Sequence, residues 1–113
     1  MENCLFCKIA NGEIPTKLVY EDDEIAAFDD INPKAKVHIL IVPKKHIEST
    51  AEMTEQDIPL IGKMIYVAKK IAEEQRIAKS GYRLVFNTRK NAGQLIEHIH
   101  LHLLGGNELG GMA

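Results

Sequence analysis

Three of the five histidines fall within five residues, in His98-Ile99-His100-Leu101-His102-Leu103-Leu104. Alternate side chains of a β-strand share a face, so this stretch predicts a strand with His98, His100 and His102 on one side and Ile99, Leu101 and Leu103 on the other. Such a strand buries its apolar face and lines up imidazoles at a cleft, where they suit proton or phosphoryl transfer near neutral pH. The same spacing suits a three-histidine metal site, or an edge strand with solvated imidazoles. The polar loop Asn87 to Gln94 directly precedes the stretch and could bring backbone N–H groups close to a phosphate. A second constellation is Cys4-Leu5-Phe6-Cys7. Two thiolates at this spacing can chelate one Zn2+, which takes four ligands when structural; a redox pair or two reduced buried cysteines are the alternatives.

The elements that must position these groups are legible from periodicity. Leu5 to Ala10 reads as a short helix closed by Asn11-Gly12. Lys17 to Glu21 and Ile25 to Phe28 read as a hairpin, and His38 to Val42 as a third strand stopped by Pro43. From Thr54 on, Ile58, Ile61, Ile65, Ala68 and Ala72 recur at helical spacing, with a distorted start at Thr54, Asp57 and Pro59 and a break at Lys79-Ser80-Gly81. Tyr82 to Asn87 and the histidine stretch complete the strands. The order predicts an α+β fold, a largely antiparallel sheet with one long and one short helix. At 113 residues, 45% hydrophobic, the expectation is a single domain, 1–113. A net charge of −2 with mixed signs gives no basic field for nucleic acid. No apolar run approaches a membrane span and the N-terminus lacks signal-peptide features, so a cytoplasmic protein is expected.

The chain resembles the histidine triad superfamily, in its nucleotide-binding branch of purine nucleoside phosphoramidases. The resemblance is carried by His98-Ile99-His100-Leu101-His102-Leu103-Leu104, which matches the family's His-apolar-His-apolar-His-apolar-apolar pattern. Phe6-Cys7-Lys8-Ile9, Tyr20-Glu21-Asp22-Asp23, Ala27-Phe28-Asp29-Asp30-Ile31-Asn32-Pro33, His38 through His46 and Ala92-Gly93-Gln94 join it, so that it runs from about Cys4 to Gly106. It implies a five-stranded antiparallel sheet continued across a homodimer. The implied ligand is a purine nucleoside monophosphate or phosphoramidate, with no nucleic-acid or membrane partner. His100 would be the nucleophile on phosphorus, His102 would hold phosphate oxygens and the leaving atom, and His38 would sit beside them. Asn87, Gly93 and Gln94 match phosphate contacts, Asp30 the carboxylate on the ribose hydroxyls, and Phe6, Ile9, Phe28, Ile31 and Leu40 the base pocket. Hydrolysis of dinucleoside polyphosphates and a nucleotide-binding regulatory module are the alternative functions.

Several bacterial members of this superfamily carry a zinc held by such a Cys pair and two histidines, so the resemblance implies one structural Zn2+ per chain here, on the matching Cys4, Cys7, His46 and His98. The resemblance thus divides the triad, with His98 structural and His100 and His102 chemical. Two positions depart from the family. Leu95 stands where many relatives place a serine or threonine that touches the phosphate or leaving group, and the segment from Asn107 to Ala113 lacks the Trp-Pro-Pro ending of animal relatives.

Overall fold

The computed structural model describes residues 3–112. Its elements are α1 (Leu5–Ala10), β1 (Leu18–Glu21), β2 (Ile25–Asp29), β3 (Val37–Pro43), α2 (Ile58–Glu74), β4 (Tyr82–Phe86) and β5 (Leu101–Gly105). The five strands form one antiparallel sheet in the order β1-β2-β3-β5-β4, the α+β architecture expected from periodicity. Among the described residues, no helix is long and apolar enough to cross a membrane.

Strand alternation divides the sheet into two unequal faces. Ile25, Ala27, Ile39, Ile41, Leu101 and Leu103 are buried against Met64, Val67, Ala68, Ile71 and Ala72 of α2. Ala26, Phe28, Leu40 and Val42 turn the other way and pack on Phe6 and Ala10 of α1. At 1.5 Å per residue α1 is about 9 Å long, whereas five strands at 4.8 Å spacing span about 19 Å. The short helix therefore covers only part of its face. His38, two residues before Leu40, and His102, paired with Leu40 across the β3–β5 ladder, belong to this partly covered side.

The start of α2 uses both candidate caps. Thr54 and Asp57 form a reciprocal capping box around a 3-10 turn, and Asp57 then serves as N-cap of α2 with Pro59 in the first turn, where its missing N–H costs nothing. The helix ends earlier than the break expected at Lys79-Ser80-Gly81. Arg76 takes a left-handed conformation (φ 61°) and the Ile77 N–H returns to the Ala72 carbonyl at 3.0 Å. This closure turns Ile77 back into the core.

The strand expected from His98 also begins later, at Leu101. Its ladder to β3 starts with Ile41 opposite Leu101. Upstream of that pair, the Ile99 N–H goes to the Ile47 carbonyl at 2.6 Å and the His98 ring to the Pro43 carbonyl at 2.7 Å. These bonds draw the segment across the end of β3 and take it out of the sheet.

Candidate active site and metal centre

Pairing of β3 with β5 sets His38 beside His102, their Nε2 and Nδ1 atoms 2.9 Å apart. The Lys34 N–H donates to His38 Nδ1 at 3.0 Å. The proton of neutral His38 therefore sits on Nε2 and is donated to His102 Nδ1, so a neutral His102 carries its own proton on Nε2. His100 is held differently. Its Nδ1 lies 2.8 Å from the His98 carbonyl, and because a carbonyl only accepts, Nδ1 bears the proton and Nε2 keeps its unshared pair. The His100 ring meets Phe6 edge-on at 5.0 Å and His102 at 4.9 Å between centroids.

Burial lowers the pKa of His38 and His100 below the ordinary imidazole value. For His102, burial and then the neighbouring His100 and His38 push it down to about 4. The rings are thus uncharged at neutral pH, the state that a nitrogen nucleophile requires. Asp30 closes this group, with Oδ2 3.4 Å from His38 Nε2 and Oδ1 accepting the Asn32 N–H at 2.8 Å.

On the other side of His98 is a second cluster. Cys4 is the N-cap of α1, its Sγ accepting the Cys7 N–H at 3.3 Å. His98 Nδ1 lies 3.3 Å from Cys4 Sγ, 3.3 Å from Cys7 Sγ and 3.2 Å from His46 Nδ1, which is itself 3.2 Å from Cys7 Sγ. His98 Nε2–H donates to the Pro43 carbonyl, so Nδ1 faces its neighbours as a lone pair. Burial and the adjacent Cys4 push the Cys7 thiol up to about 11, and burial lowers His98 to about 4. Two sulfurs and two imidazole nitrogens, all within 4.8 Å of one another, form a donor set suited to a tetrahedral soft cation.

The expected base-pocket residues Phe6, Ile9, Phe28 and Leu40 gather in one apolar cluster. Ile31 stands apart from it, 90% exposed in the turn beyond β2 and next to Asp30. Asn87 follows β4 directly and is half-buried. Gly93 has a left-handed φ of 88°, which favours glycine, and its N–H is bonded to the Lys90 carbonyl at 2.9 Å. The amide of Gln94 is fully engaged inside the protein: Oε1 accepts the Arg89 N–H at 2.7 Å, and Nε2 donates to the carbonyls of Glu48 at 2.6 Å and Ile96 at 2.9 Å. Its side chain braces the loop.

Further ties run from this loop to residues 50 and 52, through the hydroxyls of Thr88 and Thr50 and through Arg89 to Glu52 at 2.8 Å. Sequence reasoning missed these braces because residues 48–52 carry no motif. Leu95 is 90% exposed and, with Cys4, His46 and Ile96, lines a cavity of about 580 Å³ beside the cysteine–histidine cluster.

Residues 3–112 match the family model described as "Scavenger mRNA decapping enzyme C-term binding". The chain is 48% identical over 111 residues to the purine nucleoside phosphoramidase of Escherichia coli K12, covering 98% of this chain and 93% of that one. It is 44% identical to protein HitA of Neisseria gonorrhoeae, over 93% of this chain and 97% of that one. Among solved structures, a HIT family hydrolase from Legionella pneumophila superimposes with a TM-score of 0.94 at 50% identity, covering 96% of each chain. A histidine triad protein from Clostridium difficile gives 0.96 at 42% identity, covering 100% of this chain and 98% of that one. With this agreement of sequence and fold over nearly its full length, the chain belongs to the histidine triad superfamily.

Proposed function

We propose that the chain is a hydrolase of purine nucleoside phosphoramidates that works through a nucleotidyl-histidine on His100. The observation that carries this reading is the bond from His100 Nδ1–H to the His98 carbonyl, which leaves Nε2 as a neutral, fixed nucleophile. Nε2 attacks the α-phosphorus, the P–N bond to the amine breaks as the P–N bond to His100 forms, and the amine departs with the proton given up by His102 Nε2. Water then cleaves the nucleotidyl-histidine and gives back one proton, so the cycle balances as phosphoramidate plus water to monophosphate plus amine. His102 Nε2–H donates to the phosphoryl oxygens, oriented by the His38 bond to its other nitrogen. Asp30 accepts from the ribose hydroxyls, a role suited to a charged acceptor. Phe6, Ile9, Phe28 and Leu40 line the base, with Ile31 closing over it from its exposed turn. Asn87 and the backbone around Gly93 meet the phosphate. The test is incubation of the chain with adenosine 5′-phosphoramidate: AMP and ammonia are expected in equal amounts, and the reading fails if neither appears.

Cys4, Cys7, His46 and His98 would hold one Zn2+ per chain. The metal would supply structural cross-linking there, since four protein donors leave no open position for substrate. Two free thiols accord with a reducing compartment, and we place the protein in the cytoplasm as one domain spanning the chain.

A homodimer with a continuous sheet is supported by two neighbouring features. β4 lies at the edge of the sheet, and an unpaired edge is a ready template for a second copy. On α2, Ile58 (59%), Ile65 (45%) and Tyr66 (59%) are exposed, and an added Cβ at Gly62 between them would meet nothing within 4 Å. Sedimentation equilibrium at micromolar concentration is expected to give twice the chain mass, and Ile65→Glu the mass of one chain. A wild-type protein that sediments as a monomer overturns this assignment.

A further inference from the structure

The segment from His98 to His100 lies outside β5, and no ladder bond holds it, because the first β3–β5 pair is Ile41 with Leu101. What fixes it instead is a small set of ties. His98, fully buried, places Nε2 on the Pro43 carbonyl and Nδ1 among Cys4, Cys7 and His46. The Ile99 N–H is bonded to Ile47, the residue that follows His46. From this segment the His98 carbonyl reaches His100 Nδ1 at 2.8 Å, and that single acceptor decides which nitrogen of His100 carries the proton. The Phe6 ring also meets His100 in a T-shaped contact, 5.0 Å between centroids. Phe6 lies between the two thiols on a helix of six residues, too short to hold its shape without tertiary anchors. Apart from His102 at 4.9 Å, these two neighbours of the His100 ring are therefore carried by a residue of the cysteine–histidine centre or bracketed by its thiols.

We infer that the Cys4, Cys7, His46 and His98 centre, when it holds its metal, sets the tautomer and rotamer of His100 through the His98 carbonyl and the Phe6 ring. His98 and Phe6 are positioning residues in this scheme, and the centre acts on chemistry as well as on stability. The inference rests on the proposed roles of His100 and of the metal, but its readout is the imidazole itself.

Outer-shell groups around metal and catalytic centres typically change activity 10–100-fold. Stripping the metal is therefore expected to lower kcat by roughly 10–100-fold in protein that remains folded. The deciding experiment labels the histidines with 15N and records long-range 1H–15N spectra of the zinc-loaded and the chelator-stripped protein. In the loaded form His100 is expected to be a single Nδ1–H tautomer. In the stripped form its two nitrogen signals are expected to move toward each other, and added zinc to restore them. A second arm keeps all four ligands: Phe6→Leu, loaded with zinc, is expected to shift the His100 signals with unchanged metal content. Identical His100 signals in the loaded and stripped forms, or in Phe6→Leu and wild type if stripping unfolds the chain, overturn the inference. A loaded protein with the single tautomer and no turnover overturns the phosphoramidase reading instead, and leaves the positioning intact.

Discussion

Alanine at position 100 is expected to lower turnover of an adenosine phosphoramidate by about 10⁴-fold or more, while AMP still binds with an affinity near that of the wild type. The proposed base contacts (Phe6, Ile9, Phe28, Leu40) and the proposed ribose carboxylate (Asp30) do not depend on the imidazole, so on that reading the loss falls on kcat. If His100→Ala keeps more than about a hundredth of the wild-type rate, another group is the nucleophile. The environment of the site adds a signature in pH. Burial lowers His100 and His38 from the ordinary imidazole value, and takes His102 from 6.5 to about 4. The acid limb of kcat/KM should accordingly lie below the ordinary histidine range. The same shifts act on folding. Below about 6.5 the unfolded chain binds protons that the folded rings refuse, so stability declines as pH falls from there toward 4, and these groups contribute no slope above it. Urea midpoints at pH 7.5 and pH 5 measure the effect, and a midpoint that rises on acidification contradicts it.

The double substitution Cys4→Ser and Cys7→Ser is expected to abolish zinc binding and to lower Tm by about 15 °C. A ligand present at a thousand times its dissociation constant stabilises the native state by about 4 kcal/mol, and in a domain of this size each kcal/mol moves Tm by about 4 °C. The loss arises because serine hydroxyls are poor zinc donors at neutral pH, which leaves His46 and His98 as the only remaining ligands of the four. Wild-type protein treated with chelator should melt at the temperature of the variant. The assignment fails if purified wild type carries no metal, or if chelator leaves its Tm unchanged.

The long helix was legible because the apolar positions of α2 recur with the helical period, but its buried face is Met64, Val67, Ala68, Ile71 and Ala72, and Ile58 and Ile65 of the expected stripe are exposed. β2 and β3 were legible for a similar reason, as runs of β-forming residues between turn signals. The boundaries that moved did so because of backbone atoms. Arg76 closes α2 with a left-handed turn that no residue type announces, and His98 leaves the sheet for the Pro43 carbonyl. The same holds at the site. Which imidazoles converge could be read from the family pattern, but the atoms that set their tautomers are the His98 carbonyl and the Lys34 N–H. Every residue has a carbonyl and nearly every residue an N–H, so composition and spacing carry no mark of the ones that matter. Gln94 shows the converse: its side chain suits a phosphate contact, yet all its polar atoms serve loop residues.

The strand order β1-β2-β3-β5-β4 also governs when the protein can take shape during synthesis. β1, β2 and β3 are a local meander that can pair as soon as residue 43 has emerged. The inner edge of β3, however, is completed only by Leu101–Gly105, some sixty residues later. Until then it offers open backbone groups to any passing strand. His38 waits for His102 and Cys7 for His98 over the same interval. The nascent chain therefore has neither a histidine pair nor a four-donor cluster until its last strand leaves the ribosome, and a chain truncated before that strand would be inert and prone to aggregate.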